Sequence, residues 1–136
     1  MTDLYAFLHP EVPDQKEVVF SRFKNKDGSI APFIIRPITA EENEALLKKC
    51  MIITKDHGEK RRLDSAKYQR SLIVAGTVSP DFADAQLCEA YGVVDPQLVV
   101  GKMLLAGEYT RLADEILTLS GLDEGSSAAE AEEAKN

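Results

Sequence analysis

The imidazole and thiol groups of this sequence, which can bind a metal or act in nucleophilic catalysis, belong to two histidines and two cysteines. Metal sites and cysteine–histidine catalytic pairs need such residues at converging positions, and zinc sites often show this as spaced motifs such as CxxC. His9 lies in a proline-flanked segment and His57 in a charged stretch, and neither has a cysteine or second histidine at ligand spacing. We therefore expect no metal site.

The acidic residues and glycines also lack an arrangement typical of an active site. The glutamates of residues 41–44 look like a carboxylate cluster, but the preference of acidic side chains for the start of a helix explains them. Glycines occur singly, so the sequence has no phosphate-binding loop. The nearest match to the E-x-K triplet of nucleases, at residues 133–135, lies in a polar C-terminal segment. We expect no catalytic residues and no bound cofactor.

The charge balance disfavours nucleic acid as a partner. The chain has 136 residues and a formal net charge of −7, and a negative protein repels the phosphate backbone. One basic patch occurs at residues 55–62, where acidic residues interrupt the cations Lys55, Lys60, Arg61 and Arg62. Such a run is either a solvated loop or a local contact for nucleic acid. The overall charge favours the solvated loop.

The sequence indicates a soluble protein of a reducing compartment that contacts no membrane. No apolar run approaches the roughly 18 residues that suggest a membrane span. The N-terminal "MTDLYAFLHPE" lacks the basic start and extended apolar region of a signal peptide. Cys50 and Cys88 lie far apart, which favours two buried free thiols. We expect a cytoplasmic protein.

The N-terminal part predicts a short helix and a β-hairpin. "DLYAFL" (residues 3–8) is typical of one apolar-faced turn or helix that ends before the prolines at 10 and 13. Runs rich in β-branched and aromatic residues follow at 17–23 and 31–38. Asp27-Gly28 between them supplies the positive-φ positions of a tight reversal, so an antiparallel hairpin is expected over 17–38.

From residue 39 onward the apolar spacing becomes helical. Thr39 and Glu42 form a capping box, and the helix they open has an inner stripe that runs to Met51 before a loop at 55–62. Further helices are predicted over 65–78, 84–92, 97–107 and 108–121. Gly76, inside the second of these helices, suggests the close approach of another helix. The helix at 97–107 is apolar almost all round, so it either lies at the centre of the core or offers a second face to a partner.

Together these elements predict an α+β fold, with an N-terminal antiparallel β-hairpin followed by a bundle of four to five short helices. One core fits a chain of this length. We expect a single globular domain over 1–121, with the hairpin at 17–38 and the helical part at 39–121. Residues 122–136 have acidic character and no apolar stripe, and we expect a flexible acidic tail there.

Four segments, read together, resemble the XkdN-like tail assembly chaperones of long-tailed phages and prophages. They are spread over nearly the whole chain: "RPITAEENEALLKKC", "YQRSLIVAGTVSPDFADAQLCEAYGV", "KMLLAGEYTRLADEILTLSG" and the final "EEAKN". Each segment alone is a capped or amphipathic helix of low specificity. Their order along the chain is specific and carries the resemblance.

The resemblance implies a protein that is not an enzyme and that acts in the bacterial host cytoplasm during tail assembly. Its expected partner is the tape-measure protein, which it keeps soluble while tube subunits polymerise, and the resemblance also allows tail tube subunits as partners. Such a chaperone is absent from the mature virion. Client contact then needs exposed apolar groups, for which we select Val99, Met103, Leu104 and Tyr109. Self-association stays open.

The last three residues suggest that a second, longer product is made. Chaperones of this kind are often made in two lengths through a −1 ribosomal frameshift, and Ala134-Lys135-Asn136 is what the slippery message GCA AAA AAC encodes. A polar chain end of this composition also arises without frameshifting. The gene sequence decides, because AAG at codon 135 or a closed −1 frame contradicts the hypothesis.

Two other functions compete with the chaperone. One is a structural subunit of the virion, such as a tail-completion or connector protein, which purified particles would contain. The other is an enzyme or a nucleic-acid-binding regulator, which the negative charge and the lack of convergent polar groups disfavour.

Overall fold

The computed structural model describes residues 3–11 and 14–122. Six helices and five strands follow one another in this part of the chain: α1 Tyr5–Leu8, β1 Lys16–Val18, β2 Phe33–Ile35, α2 Ala40–Lys49, β3 Met51–Thr54, β4 Lys60–Leu63, α3 Ser65–Gly76, β5 Thr77–Ser79, α4 Ala85–Ala90, α5 Pro96–Met103 and α6 Ala106–Leu119. The predicted α+β class, with a hairpin before the helices α2 to α6, is confirmed. The predicted tail at 122–136 falls almost wholly outside the described residues, and the division into domain and tail stays a prediction.

The predicted N-terminal hairpin is present, and it has an additional strand. β1 pairs antiparallel with β2, with Val18 opposite Phe33, and Gly28 in the connecting turn has a φ of +90°. β5 pairs with the other edge of β2, so the sheet order is β1-β2-β5. The prediction that a helix continues over 65–78 is therefore wrong at its end. The chain leaves the helical conformation after Gly76, because Thr77 and Val78 complete the sheet.

Residues 51–63 form a second hairpin that the sequence did not predict. α2 begins with the predicted capping box, in which the Glu42 amide donates to the Thr39 hydroxyl at 3.2 Å. It ends at Lys49, and Met51 starts β3, which pairs with β4 in a separate two-stranded sheet. The expected loop at 55–62 is thus largely a strand and a tight turn. Cys50 is buried, as expected, at the point where the hairpin leaves the core.

The helix α3 lies at the centre of the helical part, where it contacts α2, α5 and α6. Side chains from the three-stranded sheet and from α3, α5 and α6 meet in one core, whose largest fully buried members include Phe82, Ile35, Leu72, Ile73, Leu112 and Ile116. Gly76 lies where α3 meets α6. A Cβ atom on Gly76 would be 2.7 Å from Cγ2 of Ile116, so the predicted close approach of another helix is confirmed.

The boundary between α5 and α6 differs from the prediction. Asp95 caps α5 and Pro96 occupies its first turn, as the sequence indicates. α5 ends at Met103 and α6 begins at Ala106, earlier than predicted. The Glu108 carboxylate accepts from the Leu105 amide at 2.8 Å, which satisfies a free donor at the start of α6 and fixes the break between the two helices.

Candidate protein-binding surfaces

The cysteines and histidines, which could bind a metal or act as nucleophiles, are not grouped into one site. Both cysteines are buried and free, with the Cys50 Sγ 3.7 Å from the Ser71 hydroxyl and the Cys88 thiol donating to the Phe82 carbonyl at 3.3 Å. His9 is exposed beside the Tyr5 ring, and His57 is exposed at the turn of the second hairpin. Within residues 3–11 and 14–122, no three His, Cys, Asp or Glu residues are grouped so that they could hold a metal ion.

The structure buries three of the four apolar residues selected for client contact. Val99 is fully buried, and Met103 and Leu104 are each 7% exposed. Tyr109 is half-buried, and burial raises the pKa of its hydroxyl. The exposure expected of Val99, Met103 and Leu104 is not observed. Of the two roles left open for α5, the position in the core is the one found, because α3 and α4 both pack against this helix. Contact of the four residues with a client stays a prediction, and in this fold only Tyr109 has an accessible part.

A charged clamp holds the α5–α6 junction against the sheet layer. The Arg22 guanidinium donates to both Glu108 carboxylate oxygens, at 2.6 and 3.0 Å, and to the Met103 carbonyl at 2.7 Å. The hydrogen bond from Arg22 lowers the pKa of Glu108. This clamp fixes the end of α5 and helps to keep the Met103 side chain turned into the core.

A second bidentate pair joins Arg36, just after β2, to Glu42 in the first turn of α2. The Nη2–Oε2 distance is 2.5 Å and the Nη1–Oε1 distance is 3.0 Å. The hydrogen bonds from Arg36 and from the Thr39 amide lower the pKa of Glu42 from 4.5 to about 2. A carboxylate with a lowered pKa favours the folded state above its unfolded pKa. This contribution is lost as the pH falls from about 4.5 towards about 2.

We expect Glu42→Gln to remove part of the acid dependence of folding. Glutamine keeps the capping-box geometry but loses the charge, so the variant should be less stable than the wild type at pH 7. Because both side chains are about a third exposed, the difference should be only on the order of 1 kcal/mol. Urea unfolding at pH 7, 4.5 and 3 measures it, and the difference between the two proteins should be smallest at pH 3. An equal gap at pH 7 and pH 3 would contradict a role for the ionised carboxylate.

The helix α1, together with Leu4 just before it, is an exposed apolar segment. Its large side chains are all more than half exposed, at 59% for Leu4, 66% for Tyr5, 75% for Phe7 and 70% for Leu8. Leu4, Phe7 and Leu8 have the i, i+3, i+4 spacing of one helix face, whereas Tyr5 stacks on His9 at a centroid distance of 4.4 Å. No residue of α1 is buried. Such a face is the kind that docks into a groove or against another helix.

The second hairpin, β3–β4, projects from the helical part and carries the basic patch. Its base is held by the hydrogen bond from the Asp64 amide to the Cys50 carbonyl at 2.8 Å. Every residue from 53 to 62 is exposed, and the turn is made by His57 and Gly58, both with positive φ. Residues opposite each other in the register share a face, so Met51 and Ile53 lie beside Arg61. The hairpin thus combines exposed apolar groups with cations.

A shallow apolar groove lies between the first sheet and α4. It has a volume of about 310 Å³ and is lined mainly by Phe23, Pro32, Phe33, Leu87, Tyr91 and Met103. The rings of Phe23 and Phe33 meet edge to face at a centroid distance of 4.9 Å. The groove is large enough to accept a large apolar side chain from another chain.

The sequence did not single out α1 as an exposed apolar element. α5 is apolar almost all round, which left a core position and a partner surface both open, because periodicity does not tell how many neighbours surround a helix. The signal that could have found α1 was the position of "DLYAFL" before two prolines, which separate a short apolar segment from the rest of the fold. In the part of the chain that the structure describes, no helix is long and apolar enough to cross a membrane.

The fold and these surfaces belong to a class of proteins that serves phage tail assembly. The family model of the phage XkdN-like tail assembly chaperone proteins matches residues 4–135. The chain therefore belongs to this family, as the resemblance of its segments indicated. Membership implies interaction with tail proteins.

Two relatives from Bacillus subtilis (strain 168) are similar over nearly their whole length. The phage-like element PBSX protein XkdN is 31% identical over 140 residues, covering 98% of this chain and 94% of the relative. The uncharacterized protein YqbN is 32% identical over 140 residues, covering 98% and 93%. The crystal structure of YqbN matches this fold with a TM-score of 0.72 and 30% identity, over 90% of this chain and 99% of that one.

Proposed function

We propose that this protein binds the tape-measure protein of its phage or prophage and keeps it soluble while the tail tube assembles. The binding is non-enzymatic. It takes place in the bacterial host cytoplasm, and the protein leaves before the virion is complete. Tail tube subunits are a second partner class. The frameshifted longer product remains part of this proposal, tested by the nucleotides at codon 135.

The observation that carries the proposal is the exposed apolar face of α1. A long helical client in water needs its apolar stripe covered before assembly, and a short amphipathic helix can cover it by packing side by side. Leu4, Phe7 and Leu8 provide such a face without being needed by the core, since none of them is buried. The net charge of −7 adds like-charge repulsion between loaded complexes, which opposes their aggregation.

We expect Phe7→Ser to weaken client binding with no loss of stability. Removal of one large apolar anchor reduces the free energy of binding by roughly 1.5–3 kcal/mol, which is about a tenfold to hundredfold loss of affinity. The protein is co-expressed with the tape-measure protein of the same phage, and the soluble fraction of the client is measured. The wild type should raise this fraction and Phe7→Ser should not.

Val94→Ser is the matched control. Val94 is 94% exposed in the loop between α4 and α5, so this change also removes an exposed apolar group but leaves α1 intact. Its effect on client solubility should be small, and both variants should unfold at the temperature of the wild type. If the wild type fails to raise the soluble fraction, the proposed function is wrong. If the wild type raises the soluble fraction and Phe7→Ser raises it equally, the client binds to another surface.

The protein content of purified phage particles distinguishes a chaperone from a structural subunit of the tail. A chaperone should be missing from the particles when their proteins are identified by mass spectrometry. A stoichiometric amount of this chain in mature virions would instead support a tail-completion or connector subunit.

A further inference from the structure

The exposed apolar face of α1 is bordered by charges of one sign. Asp3 lies four residues before Phe7, and Glu11 lies four residues after it. Both acidic residues are exposed, as are all the residues between them. The segment 3–11 contains no lysine or arginine. The apolar face therefore has a carboxylate at each end and no strong cation beside it.

These two carboxylates are not neutralised by neighbours in the described part of the chain. There, neither Asp3 nor Glu11 has a lysine, arginine or histidine nitrogen within 4.0 Å. The Asp3 carboxylate accepts from the Tyr5 amide at 3.0 Å, which holds it at the start of α1. The first lysine of the sequence, Lys16, has its ammonium 2.6 Å from the Glu115 carboxylate. Both border carboxylates can therefore pair with cations of another molecule.

The border charges decide which partner suits the apolar face. A protein interface has an apolar centre and a polar rim, so a partner that covers the face also meets the border. A partner with lysine or arginine in its rim gains charge pairs there, whereas an acidic rim is repelled. Such pairs contribute mainly to specificity and to the rate of association. The net charge of −7 attracts a basic partner at longer range as well.

We propose that α1 selects an amphipathic helix whose apolar stripe is bordered by lysine or arginine side chains. This inference rests on the proposed function and specifies which segments of the tape-measure protein are covered. Apolar contact with Phe7 and its neighbours provides affinity, and pairing with Asp3 and Glu11 provides the preference for basic segments.

The same charges disfavour two other occupants of the apolar face. If the α1 helices of two copies packed together, Asp3 and Glu11 of one molecule would approach the same carboxylates of the other, and like charges in an interface are repulsive. A bacterial membrane presents anionic lipids, and helices that lie on such a surface carry lysine and arginine on their polar side. A basic helix is the occupant that fits both the apolar groups and the charges.

The test uses two synthetic amphipathic peptides, each about five helical turns long. They share one leucine stripe, which is bordered by lysines in the first peptide and by glutamates in the second. Fluorescence anisotropy measures the binding of each to the full-length protein. The lysine peptide should bind at least about tenfold more tightly at low salt. The difference should shrink in about 0.5 M NaCl, because salt screens exposed charges.

The variant Asp3→Asn/Glu11→Gln should lose most of this preference. It should bind the lysine peptide several-fold more weakly than the wild type and the glutamate peptide more tightly. Asparagine retains an oxygen that can accept from the Tyr5 amide, so the start of α1 is preserved. Phe7→Ser should weaken binding of the lysine peptide about tenfold or more, because it removes an apolar contact.

A control variant, Glu89→Gln/Asp114→Asn, changes the net charge by the same amount outside α1. Both residues are exposed, and neither takes part in an ion pair within the described residues. The control separates the effect of the border from the general attraction between an acidic protein and a basic peptide. Its preference for the lysine peptide should be close to that of the wild type.

Several results would overturn the inference. Equal affinity of the wild type for the two peptides would show that the border does not select charge, and binding of neither would show that α1 is not a docking face for helices. An equal loss of preference in the control would assign it to overall charge. Self-association of the wild type that Phe7→Ser abolishes would assign the face to a second copy. Binding to phosphatidylglycerol vesicles that the same change abolishes would assign it to a membrane.

The outcome for the proposed function is measured separately. If the tape-measure protein becomes soluble in a manner that depends on Phe7 while the peptides show no preference, the proposed function stands and this inference is wrong. If the lysine peptide is preferred as described but the tape-measure protein stays insoluble, α1 selects basic helices and the proposed client is wrong.

Discussion

Met103→Glu is expected to unfold the protein. The Met103 side chain is 7% exposed and belongs to the main core, next to fully buried groups of α5. A buried carboxylate without a partner reduces the free energy of unfolding by several kcal/mol, or takes up a proton to avoid this. The free energy of unfolding of a small domain is only about 5–15 kcal/mol in total. Circular dichroism should therefore show loss of helix at pH 7, with partial recovery at acidic pH.

Leu98→Glu provides the control on the same helix. Leu98 is 51% exposed, and it lies in the first turn of α5, where a negative side chain is favourable. Its unfolding free energy should stay within about 0.5 kcal/mol of the wild type. A folded Met103→Glu protein that has lost only client binding would show that Met103 is a surface residue and would contradict the burial described above.

The second large effect is expected from Gly76→Ala. In most helices this change stabilises by up to about 1 kcal/mol, because alanine has the better helix propensity. Here the new methyl group would stand 2.7 Å from Cγ2 of Ile116, a fully buried side chain that would have to shift within the core. Overpacking of a core typically costs about 1–3 kcal/mol. The clash therefore exceeds the gain in propensity, and urea unfolding should show net destabilisation.

Gly101→Ala tests the same substitution without the clash. Gly101 lies within α5, and a Cβ atom there would meet no other atom within 4 Å. This variant should be more stable than the wild type by up to about 1 kcal/mol. Equal gains at both glycines would mean that α3 and α6 do not approach each other as closely as described.

Local chemistry predicted where most helices begin. Thr39 with Glu42, Asp64, and Asp95 with Pro96 each start a helix at the expected residue, because capping depends on neighbours in sequence. The turn at Gly28 was predictable for the same reason, since positive φ favours glycine wherever it occurs.

The missed strands depend on contacts that are distant in sequence. Thr77 and Val78 continue the apolar spacing of α3, and only the free edge of β2 makes them a strand. "MIIT" at 51–54 follows α2 without a break and pairs with "KRRL", which has no apolar alternation. Propensity alone does not decide such short segments.

The candidate surface was the least predictable part. A sequence shows that α1 and α5 are apolar, but whether a face is covered depends on the arrangement of all other elements. α5 has helices on two sides, whereas α1 precedes the first strand and buries no residue.

The exposure of α1 has a practical consequence for work with this protein. Melting temperature and expression level report mainly on packing of the core, and no residue of α1 is buried, so changes in α1 should affect both little. A library of variants selected for thermostability would therefore retain sequences in which this helix has lost its apolar side chains. An affinity tag fused at the N-terminus would sit beside the same residues, so interaction assays are better performed with untagged protein.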